Sequence, residues 1–386
     1  ALGTVVLNEV PKFSNLGGVE KVFEALNNAK PIEGYVTKHL CPADDENLDH
    51  ENDRLFYMRK NGMKIDAMRE LLSAWQKEKK ITTEEFAYIM ASFLYSVSYV
   101  SNTSGVFKGF HRGWGGSNGT AQYRICSDIV LKPSVTYNNG QKNISTRQDA
   151  GELVHDLKEI LGSIPDIVYL DPPYNQHPYG SNYHVLNTVT LWDEPDFPEK
   201  ITKGTKAAIR TDWRTERRSA YNYHRQAANE FQELIDNIEA KFILTSYSTE
   251  GNIPLETMME ILGSKGSMQI KKREYVRYRV SPTRTSPKPR NVEFVVITDT
   301  SKPPATQKEI ADVVTNLRQI DSQIGTKVHT IWKQRVLVGK WYRYIVTTST
   351  SYEDVLPKGQ RTIEMYDGKG QRSLFQYGKI DQKYNE

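Results

Sequence analysis

An acid, two prolines and an aromatic ring follow a strand-like run near the middle of the chain. Ile167–Leu170 is four apolar or aromatic residues, typical of a buried central parallel strand. Asp171, Pro172, Pro173 and Tyr174 come directly after it, at the carboxyl end, where open α/β sheets bind their ligands. Two prolines fix φ and offer no N–H, so the carbonyl of Pro172 is a stiffly directed acceptor. We call residues 171–174 the proline turn.

The groups of the proline turn suit the binding of a planar amino group. If a nucleobase is extruded into the site, Asp171 and the Pro172 carbonyl can each accept one proton of its exocyclic amine, while Tyr174 stacks on the base. The alternative is an ordinary surface turn, because Pro and Asp favour turns in general. An ordinary turn requires neither an apolar strand before it nor an aromatic residue after it, so the sequence favours a catalytic site.

The proline turn and three further segments resemble the alpha class, or Dam-like group, of adenine-specific DNA methyltransferases. The similar segments are residues 175–188, 206–221 and 245–251. Within the wider superfamily the turn usually begins with Asp for adenine, with Ser for the cytosine amino group, and with Asn for protein glutamine or RNA. The resemblance extends over roughly residues 1–300. It implies methyl transfer from S-adenosylmethionine to the adenine amine in double-stranded DNA, as in a restriction–modification system.

The resemblance also implies the fold class, which is α/β with a Rossmann-like methyltransferase core. We expect the core in residues 1–30 and 146–300, a mainly helical target-recognition insertion in residues 31–145, and a small α+β extension, a candidate docking element, in residues 301–386. Apolar periodicity predicts helices at about residues 17–29, 66–76, 83–97, 152–161 and 306–324.

Two acids precede the proline turn in the order that the family uses to bind its cofactor. Glu9, preceded by Asn8, matches the acid that binds the ribose hydroxyls of S-adenosylmethionine. Asp149, followed by Ala150, matches the acid that accepts from the cofactor's adenine amine, and Asp171 completes the expected set. The alternative for each acid is a cap at a strand end or helix start. No metal is expected.

The family's glycine-rich cofactor loop has no counterpart ahead of Glu9, because the sequence begins at Ala1. Residues 367–370 contain two glycines but lack a preceding apolar strand and a following helix. Residues 16–19 precede a helix but come after Glu9. We therefore expect a second polypeptide to supply the first strand and this loop.

A glycine-rich loop, residues 101–116, resembles a loop of the family's recognition region. Its glycines allow the backbone to approach DNA closely. The alternative is a structural loop held by buried Phe107 and Phe110. Six residues of this loop and of the segment after the proline turn are expected to contact DNA: Lys108, His111, Arg112, Trp114, Tyr183 and His184.

Positive charge is concentrated in residues 265–290, which we call the basic strip. The strip holds nine Lys or Arg against one acid, whereas the formal net charge of the whole chain is only +4. Such a concentration of positive charge is typical of a surface that contacts phosphates. The alternative is a solvated basic hairpin. The residues expected to contact phosphates are Lys271, Lys272, Arg273, Arg277 and Arg279.

The sequence contains no apolar run long enough to cross a bilayer and no basic-then-apolar leader, so we expect a cytoplasmic protein. Two other functions stay open at this point. One is a DNA-recognition subunit of a split methyltransferase without activity of its own, and the other is transfer to the cytosine amino group.

Overall fold

The structure consists of helices and two four-stranded sheets. This computed structural model describes residues 9–116, 119, 121–141, 143–196, 210, 212, 216, 218–276, 290–329, 331–338, 341–348, 361–366 and 372–377. None of the helices formed by these residues has both the length and the apolar character needed to span a bilayer.

Eleven α-helices are formed by the described residues. In chain order they are α1 (Val19–Asn28), α2 (Tyr35–Leu40), α3 (Arg59–Lys77), α4 (Thr83–Tyr99), α5 (Gln122–Ile125), α6 (Ala150–Leu161), α7 (Tyr179–Asn182), α8 (His184–Leu191), α9 (His224–Asn237), α10 (Leu255–Lys265) and α11 (Gln307–His329).

The first sheet contains β1 (Ile167–Leu170), β2 (Phe242–Ser248), β3 (Ser267–Val276) and β4 (Arg290–Asp299) in the order β1-β2-β4-β3. β1 pairs with β2 in parallel, and β4 is antiparallel to both β2 and β3. The sheet is therefore mixed, and together with its flanking helices it confirms the predicted α/β fold class.

The second sheet follows α11. It is an antiparallel meander of β5 (Ile331–Val338), β6 (Trp341–Thr348), β7 (Arg361–Tyr366) and β8 (Arg372–Tyr377), paired in chain order. The predicted α+β character of residues 301–386 agrees with α11 and this sheet.

The chain forms two compact units. The first holds the described residues of Ala1–Leu153 and Asn175–Tyr223, and the second holds those of Val154–Tyr174 and His224–Glu386. The chain thus leaves the second unit directly after the proline turn and returns to it at His224. The predicted domain boundaries stay a prediction, although this division places α1 with the helices of residues 31–145.

The first unit is helical and has a continuous apolar core. α1 contributes Val22, Phe23 and Leu26, which share one face and are buried. The rings of Phe13 and Phe23 lie 6.0 and 6.2 Å from the ring of Tyr88 on α4. Full burial of such side chains contributes about 1.5–3 kcal/mol each, so the core holds α1 against α4.

A buried carboxylate fixes the start of α2. Asp66 on α3 has no solvent exposure. It accepts hydrogen bonds from the backbone N–H groups of Gly34, Val36 and Thr37 at 3.0, 2.7 and 2.9 Å, and from the Thr37 hydroxyl at 2.6 Å. The first N–H groups of a helix have no partner within the helix, so Asp66 satisfies donors that would otherwise be buried unpaired.

In the second unit, α10 and α11 pack on one face of the first sheet. Ile243, Thr245 and Tyr247 of β2 alternate along the strand and are buried on this face. Arg318 of α11 forms an ion pair with Glu256 of α10. The helix predicted as part of the extension therefore packs on the core.

β1 is a strand, as predicted, but it is not a buried central strand. Among the described residues it pairs with β2 alone, so it lies at one edge of the sheet that these residues form. Ile167 and Tyr169 are 59% and 58% exposed. The prediction of burial was wrong because four apolar or aromatic residues indicate a strand without indicating how many neighbours the strand has.

Candidate functional site

The proline turn begins where β1 ends, beside a longer neighbouring strand. The register pairs Leu170 with Thr245, and β2 continues in parallel to Ser248. Asp171 therefore lies at the carboxyl edge of the sheet, as predicted. Its side chain is exposed, whereas Pro172 is buried and Pro173 is half-buried. The turn thus fixes its backbone against the protein and leaves the carboxylate accessible.

The ring of Tyr174 is supported by residues that follow β2 and by β2 itself. It lies edge-on to the ring of Tyr247, with 6.2 Å between the ring centroids. The Tyr174 carbonyl accepts a hydrogen bond from the backbone N–H of Asn252 at 3.1 Å. Tyr174 nevertheless stays 38% exposed. It is held in position and still offers ring surface to a ligand.

Tyr247 is the supporting residue that sequence reasoning missed as an individual. It is buried, its ring lies 6.4 Å from that of Phe294, and its hydroxyl accepts from the backbone N–H of Ile253 at 3.0 Å. Burial raises the pKa of this phenol. Residues 245–251 are similar to the family, but nothing in that segment indicates which ring it would support.

Gly251 is required by the close packing of this support. A Cβ atom at position 251 would lie 2.0 Å from Cε1 of the Tyr247 ring, which is far below van der Waals contact. Any other residue must displace the ring that Tyr174 packs against. The glycine therefore belongs to the structure of the site.

The residues expected to bind the cofactor are exposed where they are described. Glu9 and Ala150 are exposed, and Asn8 lies outside the described residues. Asp149 is exposed, and its Oδ1 accepts from the backbone N–H of Gly151 at 2.8 Å. Asp149 therefore caps the start of α6, which is the alternative considered for it, and a carboxylate has further acceptor positions for a ligand.

The glycine-rich loop is tied to the first unit by a buried amide. Asn102 has no solvent exposure. Its Nδ2 donates to the carbonyl of His111 at 3.1 Å, and its Oδ1 accepts from the backbone N–H of Gly115 at 3.2 Å. Phe107 is buried and Phe110 half-buried. The loop thus has the structural role considered as the alternative, with side chains left at its surface.

Those surface side chains differ in how accessible they are. Arg112 is exposed, while Lys108, His111 and Trp114 are half-buried. Burial lowers the pKa of His111. The indole N–H of Trp114 donates to the carbonyl of Asp45 at 3.0 Å, so the ring is fixed from one edge.

Tyr183 and His184 were both expected to contact DNA, but they differ in solvent exposure. Tyr183 is 38% exposed, and its ring lies 5.9 Å from that of Tyr179. His184 is completely buried, and its Nε2 donates to the carbonyl of Phe107 at 2.7 Å. The expectation that His184 contacts DNA was wrong, because a side chain enclosed by the core cannot reach a phosphate or a base edge. Burial also lowers its pKa to about 4.

The basic strip is described in part. Lys271, Lys272 and Arg273 are exposed on β3, and Lys272 Nζ donates to Asn316 of α11. Neighbours along a strand point to opposite faces, so Lys271 and Arg273 share the face opposite to Lys272. Arg277 and Arg279 lie outside the described residues.

An ion cluster around the buried Arg210 was also missed. The guanidinium donates to both carboxylate oxygens of Asp193 at 2.7 and 2.6 Å and to Asp212 at 2.7 Å. Burial alone lowers the pKa of Arg210, but its hydrogen bonds to the two carboxylates reverse this and hold the pKa above its ordinary value. The cluster joins two stretches of the first unit. The order Arg210-Thr211-Asp212 can be read from the sequence, whereas the pairing of Arg210 with Asp193 cannot.

Comparison with known proteins places this site in a family. A family model for the D12 class N6 adenine-specific DNA methyltransferase matches residues 16–259, which include the proline turn. The Type II methyltransferase M.FokI of Planomicrobium okeanokoites is 30% identical over 280 residues, which are 70% of this chain and 39% of that protein.

Two further relatives are similar. The modification methylase StsI of Streptococcus sanguinis is 29% identical over 287 residues, or 72% of this chain and 40% of that protein. The Type II methyltransferase M.NlaIII of Neisseria lactamica is 28% identical over 263 residues, or 68% of this chain and 70% of that protein. The match thus spans 39% and 40% of the length of M.FokI and StsI. No solved structure gives a significant match.

Proposed function

Because the chain belongs to the D12 class of N6 adenine-specific DNA methyltransferases, we propose that it transfers a methyl group to the exocyclic amine of adenine at a specific site in double-stranded DNA. The observation that carries the proposal is the proline turn. Its carboxylate is exposed at the carboxyl end of β1, and its aromatic ring is supported by Tyr247 and remains partly exposed.

The proline turn binds the target amine through two acceptors. The Asp171 carboxylate and the Pro172 carbonyl each accept one N–H of the amine, which draws the nitrogen lone pair out of conjugation with the ring and directs it toward an electrophile. No deprotonation is needed beforehand, because the proton can leave after the nitrogen has attacked. Both of these groups are acceptors, so a base with a carbonyl at that position gains no hydrogen bond from them.

Tyr174 offsets the unfavourable energy of extrusion. Removing a base from the duplex costs a few kcal/mol. Stacking on an aromatic side chain returns about 1–3 kcal/mol. The edge-on contact with Tyr247 keeps the Tyr174 ring in one orientation, so little further ordering is needed when the base arrives.

A methyltransferase requires a methyl donor, and here the donor is S-adenosylmethionine. The exposed carboxylates of Glu9 and Asp149 are hydrogen-bond acceptors, which fits the ribose hydroxyls and the adenine amine of this cofactor. When bound, it supplies an activated methyl group on sulfur. The protein's contribution is then to orient the amine and to exclude water from its approach.

The biological setting is that of a modification enzyme. The relatives M.FokI and StsI are a Type II methyltransferase and a modification methylase. By analogy this chain protects a DNA site against a partner endonuclease, and DNA as the substrate makes the cytoplasm the expected location. The recognition sequence is not encoded in any motif identified above.

The expected second polypeptide also remains part of the proposal. The outer edge of β1 supports it, because β1 pairs with β2 alone among the described residues, and unpaired strand edges favour pairing. Cofactor titration into the chain with and without co-purified polypeptides tests this part of the proposal, because it predicts that binding requires the added polypeptide.

The test of the proposed function is the Asp171→Ala variant, assayed for methyl transfer to duplex DNA and for DNA affinity. Transfer should be lost while affinity stays nearly unchanged, because most affinity should come from phosphate contacts elsewhere. Asp166→Ala is the matched control, since Asp166 is an exposed acid just before β1 that pairs with Lys241. Near-normal turnover in Asp171→Ala would remove the proline turn from the mechanism.

A further inference from the structure

We propose that Lys108 and His177 together bind one phosphate of the DNA backbone next to the target nucleotide. His177 was not among the residues that the sequence assigned to DNA. The inference rests on the proposed function, since it assumes that a base is extruded toward the proline turn.

The two side chains form a fixed pair of basic groups. Lys108 Nζ lies 3.0 Å from His177 Nδ1. An ammonium can only donate, so Nδ1 accepts and the proton of the neutral ring lies on Nε2. The pair therefore has a formal charge of +1, and its possible donors to a phosphate are further N–H groups of the ammonium and the N–H of the imidazole. This combination of charge and donors matches a phosphate oxygen pair.

Both partners are held by the backbone around them. Next to Lys108, the backbone N–H of Phe107 donates to the carbonyl of Asn182 at 2.7 Å, and the carbonyl of Phe107 accepts from buried His184. The backbone N–H of His177 donates to Oδ1 of Asn175 at 2.9 Å. The glycine-rich loop is thus fastened to the segment after the proline turn. A phosphate binding there meets donors that are already ordered.

The position of His177 along the chain identifies which phosphate it meets. It comes three residues after Tyr174, and three residues span at most about 11 Å. A phosphate bound at His177 therefore belongs to the target nucleotide or to its immediate neighbour. Lys108 comes from the predicted recognition loop, so one phosphate contacts both the loop and the segment leading from the proline turn. Binding at this phosphate couples loop placement to the position of the flipped base.

The experiment replaces single phosphates by uncharged methylphosphonates. A set of duplexes, each with one replacement near the target adenine, is titrated with wild-type protein, Lys108→Ala and His177→Ala. Wild-type affinity should fall roughly ten-fold at one position beside the target. Both variants should lose roughly the same factor on the unmodified duplex and should be insensitive to replacement at that position. Lys108→Arg should restore most of the sensitivity, because it keeps charge and donors.

Lys60→Ala is the matched control, because Lys60 is a surface lysine of the same unit that pairs with Asp128 at 2.6 Å. It should retain the wild-type methylphosphonate profile. If Lys108→Ala and His177→Ala keep that profile too, the pair is a structural link and the inference is overturned. Failure of the proposed function looks different, because the wild-type protein would then fail to methylate the duplex whatever phosphates it contacts.

Discussion

The polar residues in the core of the first unit and those of the proline turn in the second unit differ in their exposure to solvent. In the first unit Asp66, Asn102 and Arg210 are buried, and their hydrogen bonds join segments of the chain to one another. At the proline turn of the second unit, Asp171 is exposed and Tyr174 is partly exposed. The difference separates polar residues that specify the shape of the protein from those that remain available to a ligand.

The largest expected effect comes from comparing two aspartates. Asp66→Ala should lower the free energy of unfolding by about 4 kcal/mol, because it leaves several buried donors without an acceptor. Asp171→Ala should change it by less than about 0.5 kcal/mol, as for other exposed positions. Urea unfolding measures both. Asp66→Asn, which retains one acceptor oxygen, should fall between wild type and Asp66→Ala. Equal stability losses at positions 66 and 171 would abolish the distinction.

The second effect is a pH dependence due to His184. A histidine in the unfolded chain titrates near pH 6.5, whereas burial lowers the pKa of His184 in the folded protein to about 4. The unfolded chain therefore binds more protons between these values. The stability provided by the neutral ring is complete above about pH 6.5 and is lost as the pH falls toward 4, by about 3 kcal/mol in total.

Urea midpoints of wild type and His184→Gln, measured at several pH values from 7 to 4, test this dependence. Glutamine can still donate to the Phe107 carbonyl but does not titrate. The stability difference between the two proteins should therefore shift toward the variant as the pH falls. If the urea midpoints of the two proteins change with pH in the same way, the pKa of His184 is not lowered in the folded protein. The environment of His184 would then be more polar than its burial indicates.

The third effect concerns the ring of Tyr174. Tyr174→Ala should reduce methyl transfer by roughly ten- to hundred-fold, in line with the loss of about 1–3 kcal/mol of stacking. Tyr174→Phe should retain most activity, since the ring is kept. Because Tyr174 stays partly exposed, neither change should lower stability as much as the change at Asp66 does. Equal activity of the Ala and Phe variants would exclude stacking as the role of the ring.

The smallest expected effect is at the basic strip. Lys271 and Arg273 are exposed on the same face of β3, and their double replacement by alanine should lower the slope of log affinity against log salt by about two. Sequence preference should persist, since phosphate contacts do not read bases. Lys272→Ala is a useful comparison, because its Nζ already donates to Asn316. An unchanged slope in the double variant would favour the solvated hairpin.

Features set by neighbouring residues were predicted well from the sequence. The proline turn follows a strand, and the helix predicted at residues 83–97 is observed at Thr83–Tyr99. Its start is stabilised by reciprocal hydrogen bonds between Thr82 and Glu85, a spacing that is visible in the sequence. In both cases the determinants lie within a few residues of each other.

Features that depend on distant partners were missed. His184 looked like a surface residue of a DNA-contacting segment, but its hydrogen-bond partner is 77 positions away at Phe107. The exposure of β1 and the support of Tyr174 by Tyr247 likewise depend on strands that are far apart in the chain. A single sequence shows the residue types of such partners without showing that they meet.

The strand order also has a consequence for how the protein folds during synthesis. β1 pairs with β2 only after the chain has passed through residues 175–223 of the other unit, and β2 pairs next with β4, which ends at Asp299. At about 5–20 residues per second, the ribosome needs on the order of ten seconds to go from β1 to the end of β4. Until β2 has been synthesised, the apolar strand that precedes the proline turn is a nascent edge without its partner, and β2 in turn lacks β4 until the end of the interval. Both strands are then open to wrong pairings and to chaperones.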